Sequence, residues 1–524
     1  MARSYEDYIE VFKNSERVPF STAQNPLAAV CFPNDYPLGT ANVGFSQLIA
    51  CFSGIGGFER FFYFRRYPEK AGYSFESGKK LSDFPVSAFS IPYEHDLINV
   101  LRMLDNGGIL DNEKYLKIAG GFAPTLNPEP FAPFFDMIFL GEADTFWKEL
   151  AGAISIYDVF SSKTEILEKL NGMSGVYIPS LRQESLEVRK TGEHTELVSV
   201  PQFHNPAAHF GDARLIDICR GCRFKCNFCA SGFSRKKPLY RELDSILNSE
   251  NKTDKLGLIG SIVSDHPDFD RILSIASTEN IQLGISSLRL DEFSSETLLS
   301  MRKLGIRSLT IAPETGSDRL REVCAKNITN RHVLETAGRV SELGFKTLKL
   351  YFMIGLPTEK KEDLEAIIEL CNRISETTKI KTQASIAVFT PKARTPFQYA
   401  RFITKAEFRE KASFLKQGFI SSKCGLTLPG YREACHSALL SLGTRDVGLA
   451  FRDYIIGGTN LKSALKNNEI DENGLLHSNK DFEYQFPWDR IDGEFNKKTL
   501  YNLYLKALGK QGNKKSPADR AEID

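Results

Sequence analysis

Four of the ten cysteines crowd into one run, Leu215-Ile-Asp-Ile-Cys219-Arg-Gly-Cys222-Arg-Phe-Lys-Cys226-Asn-Phe-Cys229. The other six, Cys31, Cys51, Cys324, Cys371, Cys424 and Cys435, stand singly or in wide pairs. Clustered cysteines in a reducing compartment point to metal or catalysis rather than disulfides. A zinc site would want two separated cysteine pairs or a histidine partner at finger spacing. Neither is present, since His209 and His266 lie far outside the run. Cys222-x-x-x-Cys226-x-x-Cys229 instead offers three thiolates in one loop. Three thiolates can hold a [4Fe–4S] cluster by three irons and leave the fourth iron open to a substrate or cofactor. Cys219 falls outside that spacing and is not expected to be a ligand.

The elements that must position this loop alternate in type. A strand-like run at 213–217 precedes it. Further strand patterns lie at 256–262, 281–286, 307–312, 346–353 and 382–389, and helical patterns at 267–279, 295–304, 331–343 and 361–377. In 331–343, Val333, Ala337, Val340 and Leu343 repeat at spacings of four, three and three, which gives one apolar face. Alternation of strand and helix implies a parallel sheet with right-handed crossovers, whose active residues gather at the carboxyl ends of the strands. Those ends carry Ser286-Ser-Leu-Arg-Leu290, Ala312-Pro-Glu-Thr-Gly-Ser317 and Ile354-Gly-Leu-Pro-Thr-Glu359.

The spacing C-x-x-x-C-x-x-C, with Phe228 just before the last cysteine, resembles the signature of the radical S-adenosylmethionine (SAM) enzymes. Six strands with the cysteine loop after the first are similar to that family's partial (β/α)6 barrel. The resemblance implies a [4Fe–4S] cluster on Cys222, Cys226 and Cys229, with SAM chelated at the open iron and cleaved to a 5′-deoxyadenosyl radical. It also implies an electron donor such as a flavodoxin or ferredoxin. The SAM-binding set it suggests is Phe228, Ser261, Ser287, Arg289, Glu314 and Gly355. Glu314 would meet the ribose or the amino end, and Arg289 and Ser287 the carboxylate, which suits the paired donors of a guanidinium. Gly355 would let the backbone approach the adenine. The chain departs from the family after the second strand, where Gly-Gly-Glu is replaced by Gly260-Ser-Ile-Val-Ser-Asp-His266. Ser261, Ser264 or Asp265 could orient the methionyl amine.

A second α/β pattern precedes the barrel. Strand candidates are 28–32, 60–64, 85–90, 115–119 and 136–140, and helix candidates are 43–52, 94–104 and 143–151. Small residues follow successive strands and open a crevice at the carboxyl edge of a doubly wound sheet. The composite of a strand, Gly120-Gly121, Asn127-Pro-Glu-Pro130, a further strand and Gly141-Glu142 resembles the B12-binding domain fused to many radical SAM enzymes. The resemblance implies cobalamin contacts at Gly39, Ser90, Gly120, Gly121, Gly141 and Glu142. No Asp-x-His-x-x-Gly occurs, so a lower axial histidine is not supplied in the usual way. Gly54-Ile-Gly-Gly57 alone does not make a dinucleotide site. A Rossmann-like domain with tight turns and no cofactor is the alternative.

The expected layout is a Rossmann-like, B12-binding-like domain at 1–180, a linker at 181–212, the radical SAM barrel at 213–397, a smaller, mostly helical C-terminal region at 398–508 and a disordered tail at 509–524. The C-terminal stretches around Arg432-Glu-Ala-Cys-His436 and Phe486-Pro-Trp resemble the corresponding part of B12-domain radical SAM proteins. Cys424, Cys435 and His436 could ligate an auxiliary cluster but read more simply as core. The 524 residues carry 67 Lys+Arg against 66 Asp+Glu, which excludes a surface that is one nucleic-acid-binding field. No stretch reaches the ~20 apolar residues of a membrane span, and the N-terminus lacks an apolar signal region. A cytoplasmic protein is expected. The leading function is radical SAM chemistry with cobalamin-dependent methyl transfer to an unactivated carbon. The alternatives are a radical SAM mutase, cyclase or oxidoreductase with a structural N-terminal domain, and a non-catalytic Fe–S electron-transfer or scaffold protein. A methylthiotransferase is disfavoured, because Cys31 and Cys51 cannot supply three ligands to a second cluster. The substrate is left open, nucleic acid included.

Overall fold

The computed structural model describes residues 4–16, 26–53, 57–143, 146, 149–150, 152–153, 159–181, 186–190, 205–247, 254–285, 288–289 and 294–510. Ser286, Ser287, most of 143–151, much of the expected linker, Gly54 to Gly56 and the tail beyond 510 lie outside these. The chain folds as two compact units. One joins Met1–Leu215 to Leu439–Glu472 and Gln485–Gly493; the other joins Ile216–Ala438 to Asn473–Tyr484 and Glu494–Asp524. The C-terminal region is mostly helical, but it divides between both units rather than standing alone.

In the N-terminal unit, strands β1 (Ala28–Phe32), β2 (Phe58–Phe62), β3 (Val86–Ser90), β4 (Leu116–Gly120), β5 (Met137–Phe139) and β6 (Val176–Tyr177) form one sheet. Its order is β2-β1-β3-β4-β5-β6. All pairs are parallel except β5 with β6. β1, β2 and β3 are buried along their whole length, as parallel strands covered on both faces are. The strand order reverses between β1 and β3, and in doubly wound sheets that switch point opens a crevice at the carboxyl ends. A two-residue pair, β7 (Leu186–Glu187) with β16 (Ile491–Asp492), ties a returning segment to this unit.

That return is organised by the Asn127-Pro-Glu-Pro130 turn. Asn127 Nδ2 donates to the Ser441 and Gly443 carbonyls at 3.2 and 2.9 Å. The buried Glu129 carboxylate accepts from Tyr177 Oη at 2.8 Å, Arg445 Nε at 2.8 Å and Arg490 Nη2 at 2.6 Å. Gly448 lies so close to Pro130 that a Cβ would stand 2.1 Å from its carbonyl oxygen.

The second unit holds all six expected strands. They are β8 (Arg214–Arg220), β10 (Lys255–Gly260), β11 (Gln282–Ile285), β12 (Ser308–Glu314), β13 (Thr347–Ile354) and β14 (Lys381–Val388). Two short strands, β9 (Leu239–Tyr240) and β15 (Gly425–Thr427), extend them. The described strands fall in two four-stranded sheets, β11-β10-β8-β9 and β12-β13-β14-β15. One hydrophobic cluster underlies both, running from Ile216 and Leu258 through Ile311 and Leu350 to Ile386. Helices 330–342 and 361–377 cover it. The first is capped by Thr329, whose hydroxyl accepts from the His332 amide, and buries Val333, Ala337 and Val340. Among the described residues no helix is long and apolar enough to cross a membrane.

Asp96 sits at the switch point of the N-terminal sheet, where Asn34 Nδ2 donates to it at 2.7 Å and the Tyr93 amide at 3.2 Å. Burial nevertheless raises its carboxyl from 3.8 to about 6. Folding therefore favours the protonated form. The folded chain holds the extra proton between about pH 4 and 6, so this group's contribution to stability falls as pH rises through that window, by up to about 3 kcal/mol. Denaturant titrations of the wild type and Asp96→Asn at both ends of the window should show the wild type losing that much relative to the variant.

Candidate functional site

The cysteine loop has no regular structure between the end of β8 and the helix Ala230–Ser234. A single ammonium organises it. Lys225 Nζ donates to the carbonyls of Cys222 (3.1 Å), Gly232 (2.7 Å), Arg235 (2.8 Å) and Lys236 (3.2 Å). Asn227 then fastens the loop to the chain after β12, its amide N–H donating to the Cys324 carbonyl at 2.9 Å and its Nδ2 to the Val323 carbonyl at 2.8 Å. Cys222 and Cys226 are buried, Cys229 is partly exposed, and all three thiols are free. Burial pushes the Cys222 thiol up to about 12, with Cys229 and Cys226 close enough to raise it further. Burial raises Cys226 too, opposed by the neighbouring Lys326 and Arg289.

Cys219 does a different job. Its Sγ donates to the Ile262 carbonyl at 3.3 Å, and a Cβ on Gly260 would stand 2.3 Å from that sulfur. It packs β8 against the end of β10.

Two of the expected SAM-binding residues converge on the loop. The Arg289 guanidinium lies 3.3 Å from the Phe224 ring centroid, stacked on the loop itself, and its backbone N–H donates to Ser264 Oγ at 3.0 Å. Glu314 closes β12 in a left-handed conformation, φ 67°, where the register with β13 slips. Such a φ is costly for a side chain with a Cβ, and strain of this kind collects where geometry serves a site. Buried Arg321 holds the turn, donating to the carbonyls of Pro313 (3.1 Å) and Thr315 (2.8 Å). Ser317 bonds Asp363 beside it.

Gly355 follows β13 at φ 87°, and a Cβ there would stand 2.6 Å from Ile403. Its N–H donates to Glu359 Oε2 at 2.9 Å, and Glu359 pairs with Lys411 at 2.7 Å. Phe228 is partly exposed in the loop. Of the residues after β10, Asp265 is already engaged, by Arg223 and by Tyr240 Oη at 2.6 Å. His266 is buried, with Nε2 2.7 Å from the Arg241 carbonyl and Nδ1 accepting from the Asp268 amide. Ser261 adjoins Cys219, and Ser287 lies outside the described residues.

Lys326 was not singled out by the sequence, because a lysine in a polar stretch reads as surface. Here its ammonium is buried 3.0 Å from Glu314 Oε1, and Glu314 and Cys226 hold its pKa up against the cost of burial. Cys324, fully buried two residues earlier, adjoins the same group.

In the N-terminal unit the six expected cofactor contacts separate into two kinds. A Cβ on Gly39 would stand 2.6 Å from Phe62, on Gly121 2.4 Å from the Ile91 carbonyl oxygen, and on Gly141 2.0 Å from the Arg189 carbonyl oxygen. These three glycines permit close packing. Gly120 has ordinary room, with Phe139 3.6 Å from its Cβ position. Ser90 lies at the switch point beside Gly44. The Glu142 amide donates to the Arg189 carbonyl at 2.9 Å. Just past the ends of the neighbouring strands β1, β3 and β4, the chain exposes Leu38 (46%), Tyr93 (67%) and Phe122 (42%).

Removing one member of a buried ion pair strands the other. Lys326→Met should therefore cost about 3–5 kcal/mol of unfolding free energy, and Glu314→Gln in the same background should recover most of it. Chemical denaturation of the full double-mutant cycle checks this.

Residues 64–179 match the family model for radical SAM proteins, N-terminal, and residues 216–371 match that of the radical SAM superfamily. An uncharacterised protein of Methanocaldococcus jannaschii is 25% identical over 76% of this chain and 86% of its own length. An uncharacterised methyltransferase of Pyrococcus horikoshii is 23% identical over 50% of this chain and 59% of its own. The solved structure of the radical SAM methyltransferase TsrM from Kitasatospora setae superposes with a TM-score of 0.55, covering 85% of this chain and all of TsrM. At 12% identity that likeness is one of fold. This chain carries radical SAM domains over residues 64–179 and 216–371.

Proposed function

We propose that the chain is a radical SAM enzyme that holds a [4Fe–4S] cluster on Cys222, Cys226 and Cys229 and carries out cobalamin-dependent methyl transfer to an unactivated carbon. The observation that carries the reading is the three-thiol loop, anchored by Lys225 and flanked by Arg289, Lys326 and Glu314. The donor set fits the cluster. Three free thiols share one loop, and Arg289 and Lys326 beside it offset the negative charge that thiolate ligation would create. Among the described residues no trio of Cys, His, Asp or Glu is drawn together around a single ion. A four-iron cluster takes one thiolate per iron, so its ligands stand further apart than those of a mononuclear site.

A cluster held by these three thiols would supply, once reduced by an external electron donor, the one electron that cleaves SAM. The protein's part is placement. Arg289, fixed by stacking on Phe224, presents paired donors to the SAM carboxylate. Glu314 and Lys326 form an acceptor and a donor side by side, which matches the two ends of an amino-acid zwitterion. The space that Gly355 frees is taken up by Ile403, so the adenine would meet only its backbone, which Glu359 holds.

Cobalamin supplies the methyl group in this reading. The N-terminal unit offers it the switch-point crevice at Ser90 and Gly120, with Leu38, Tyr93 and Phe122 as an apolar rim for a flat macrocycle. The methyltransferase names of the Pyrococcus relative and of TsrM support the same reaction class. A second reading keeps the radical chemistry and leaves this unit structural. It is favoured by Gly39, Gly121 and Gly141, whose freedom is taken up by packing.

Anaerobic reconstitution should load about four irons per chain. Cys226→Ala should lose them and Cys219→Ala should keep them; the reverse pattern overturns the ligand assignment. The reduced, loaded protein should form 5′-deoxyadenosine from SAM. Glu314→Ala should weaken SAM binding without loss of iron.

Titration with hydroxocobalamin separates the two readings. Micromolar binding that is lost in Gly120→Leu, with iron content unchanged, supports the methyl-transfer reading. No binding by the wild type makes the unit structural.

A further inference from the structure

Strands β12, β13 and β14 bury one face and leave the other open. On β13, Leu348, Leu350, Phe352 and Ile354 are at most 1% exposed, whereas Lys349 and Tyr351 are exposed, Tyr351 by 46%. On β14, Thr382, Ala384, Ile386 and Val388 are buried, and Gln383, Ser385 and Ala387 alternate with them on the open side. The register places Met353 beside Ala387, Tyr351 beside Ser385, and Lys349 beside Gln383. At about 3.3 Å per residue, Lys349 lies about 13 Å down the strand from Met353. The upper ends of the same strands carry Glu314 and, one residue beyond β13, Gly355.

The chemistry of this face changes along its length. Nearest Glu314 and Gly355 it is small and apolar, with Met353 and Ala387. One step down it offers the hydroxyls of Tyr351 and Ser385, and below them the ammonium of Lys349; the Gln383 amide beside it already donates to Thr427 Oγ1 at 3.0 Å. Lys381 adds a second cation at the lower edge, paired in register with Thr347. No carboxylate lies on the open side of these three strands below Glu314. Among the described residues the side chains of Lys349, Tyr351 and Ser385 make no hydrogen bond or ion pair, and none belongs to the hydrophobic cluster beneath. A row of uncommitted donors with surplus positive charge matches an anionic, hydrogen-bonding occupant. It is a poor match for a lipid chain, which would leave these groups desolvated and unpaired.

We infer that this face is the substrate-recognition surface, and that the substrate is an elongated polar molecule with a carboxylate or phosphate at one end. Lys349 holds the anionic end, Tyr351 and Ser385 bond the middle, and the reacting carbon rests against Met353 and Ala387, level with the SAM-binding groups. The inference rests on the proposed function only for which end reacts. The binding itself needs no turnover.

The test uses the full-length, iron-loaded protein and saturation-transfer NMR. The probes are the straight-chain dicarboxylates from succinate to sebacate, the dimethyl ester of each, and alkyl phosphates of matching length. At least one acid should bind at millimolar concentration about tenfold more tightly than its ester, the size of one charge-assisted hydrogen bond. Lys349→Glu should lose that preference, and Tyr351→Phe should weaken only a diacid whose second carboxylate reaches that hydroxyl, leaving the alkyl phosphates unchanged. Preference for the phosphate over the dicarboxylate of equal length, or the converse, identifies the anion. Esters that bind as well as acids, acid binding unchanged in Lys349→Glu, or no acid bound at millimolar concentration would each overturn the assignment. Formation of 5′-deoxyadenosine by the wild type, measured in parallel, keeps a failure of this inference distinct from a failure of the radical reading.

Discussion

Lys225 gathers four backbone carbonyls around one half-buried ammonium, and the geometry of the cysteine loop depends on it. A loop without regular structure has few backbone hydrogen bonds of its own. Its carbonyls must still be satisfied where water is excluded. One cation reaching four of them does what a helix or a sheet ladder does elsewhere. It also places a positive charge near Cys222; burial lowers the lysine's pKa, and the Cys222 thiol offsets that only in part. The loop's order and its electrostatics therefore come from the same side chain. Phe495, 5.5 Å from that ammonium and packed edge-on against Phe233, keeps it partly dry.

A second set of charges stands near Cys226. Glu314, Lys326 and Arg289 come from three different segments, and each is partly or wholly buried. Buried charges are retained at a cost, and replacing them with apolar residues is often neutral or stabilising. Their presence together with a left-handed glutamate marks this corner as built for something other than stability. Arg321 and the Ser317–Asp363 bond fix the turn that makes the strained φ tolerable. A site built this way is preorganised, so a zwitterionic ligand meets donors and acceptors that need little reorganisation.

The parts of this fold that sequence could reveal are those governed by local periodicity. The runs at 28–32 and 382–389 end within a residue of β1 and β14, because buried parallel strands are short apolar runs bounded by turn residues. The cysteine loop and the strand-end positions of Arg289, Glu314 and Gly355 were legible for a related reason, since spacing and order along the chain are sequence properties. Lys225, Lys326 and Arg321 were not. Each acts through carbonyls or carboxylates brought near by tertiary folding, and a lysine or arginine in a polar stretch carries no local sign of that. The division of the C-terminal region was hidden in the same way. It depends on Asn127 and Glu129 meeting residues more than 300 positions later.

The glycines of the N-terminal unit show how one residue type supports opposite readings. Absence of a Cβ permits a ligand to approach the backbone, and it equally permits another strand to do so. Sequence alone does not choose between them. At Gly121 and Gly141 the space is filled by the backbone at Ile91 and Arg189, and both residues adopt the positive φ that such approaches impose. At Gly120 a Cβ would make only ordinary contact with Phe139, on a strand one place from the switch point. A crevice there is produced by strand order rather than by any motif, since the connections from β1 and from β3 leave in opposite directions. The exposed Leu38, Tyr93 and Phe122 follow the same logic. Each sits on a connection that the sheet cannot cover, so their exposure is a consequence of topology, and an apolar-faced ligand at that edge would relieve it.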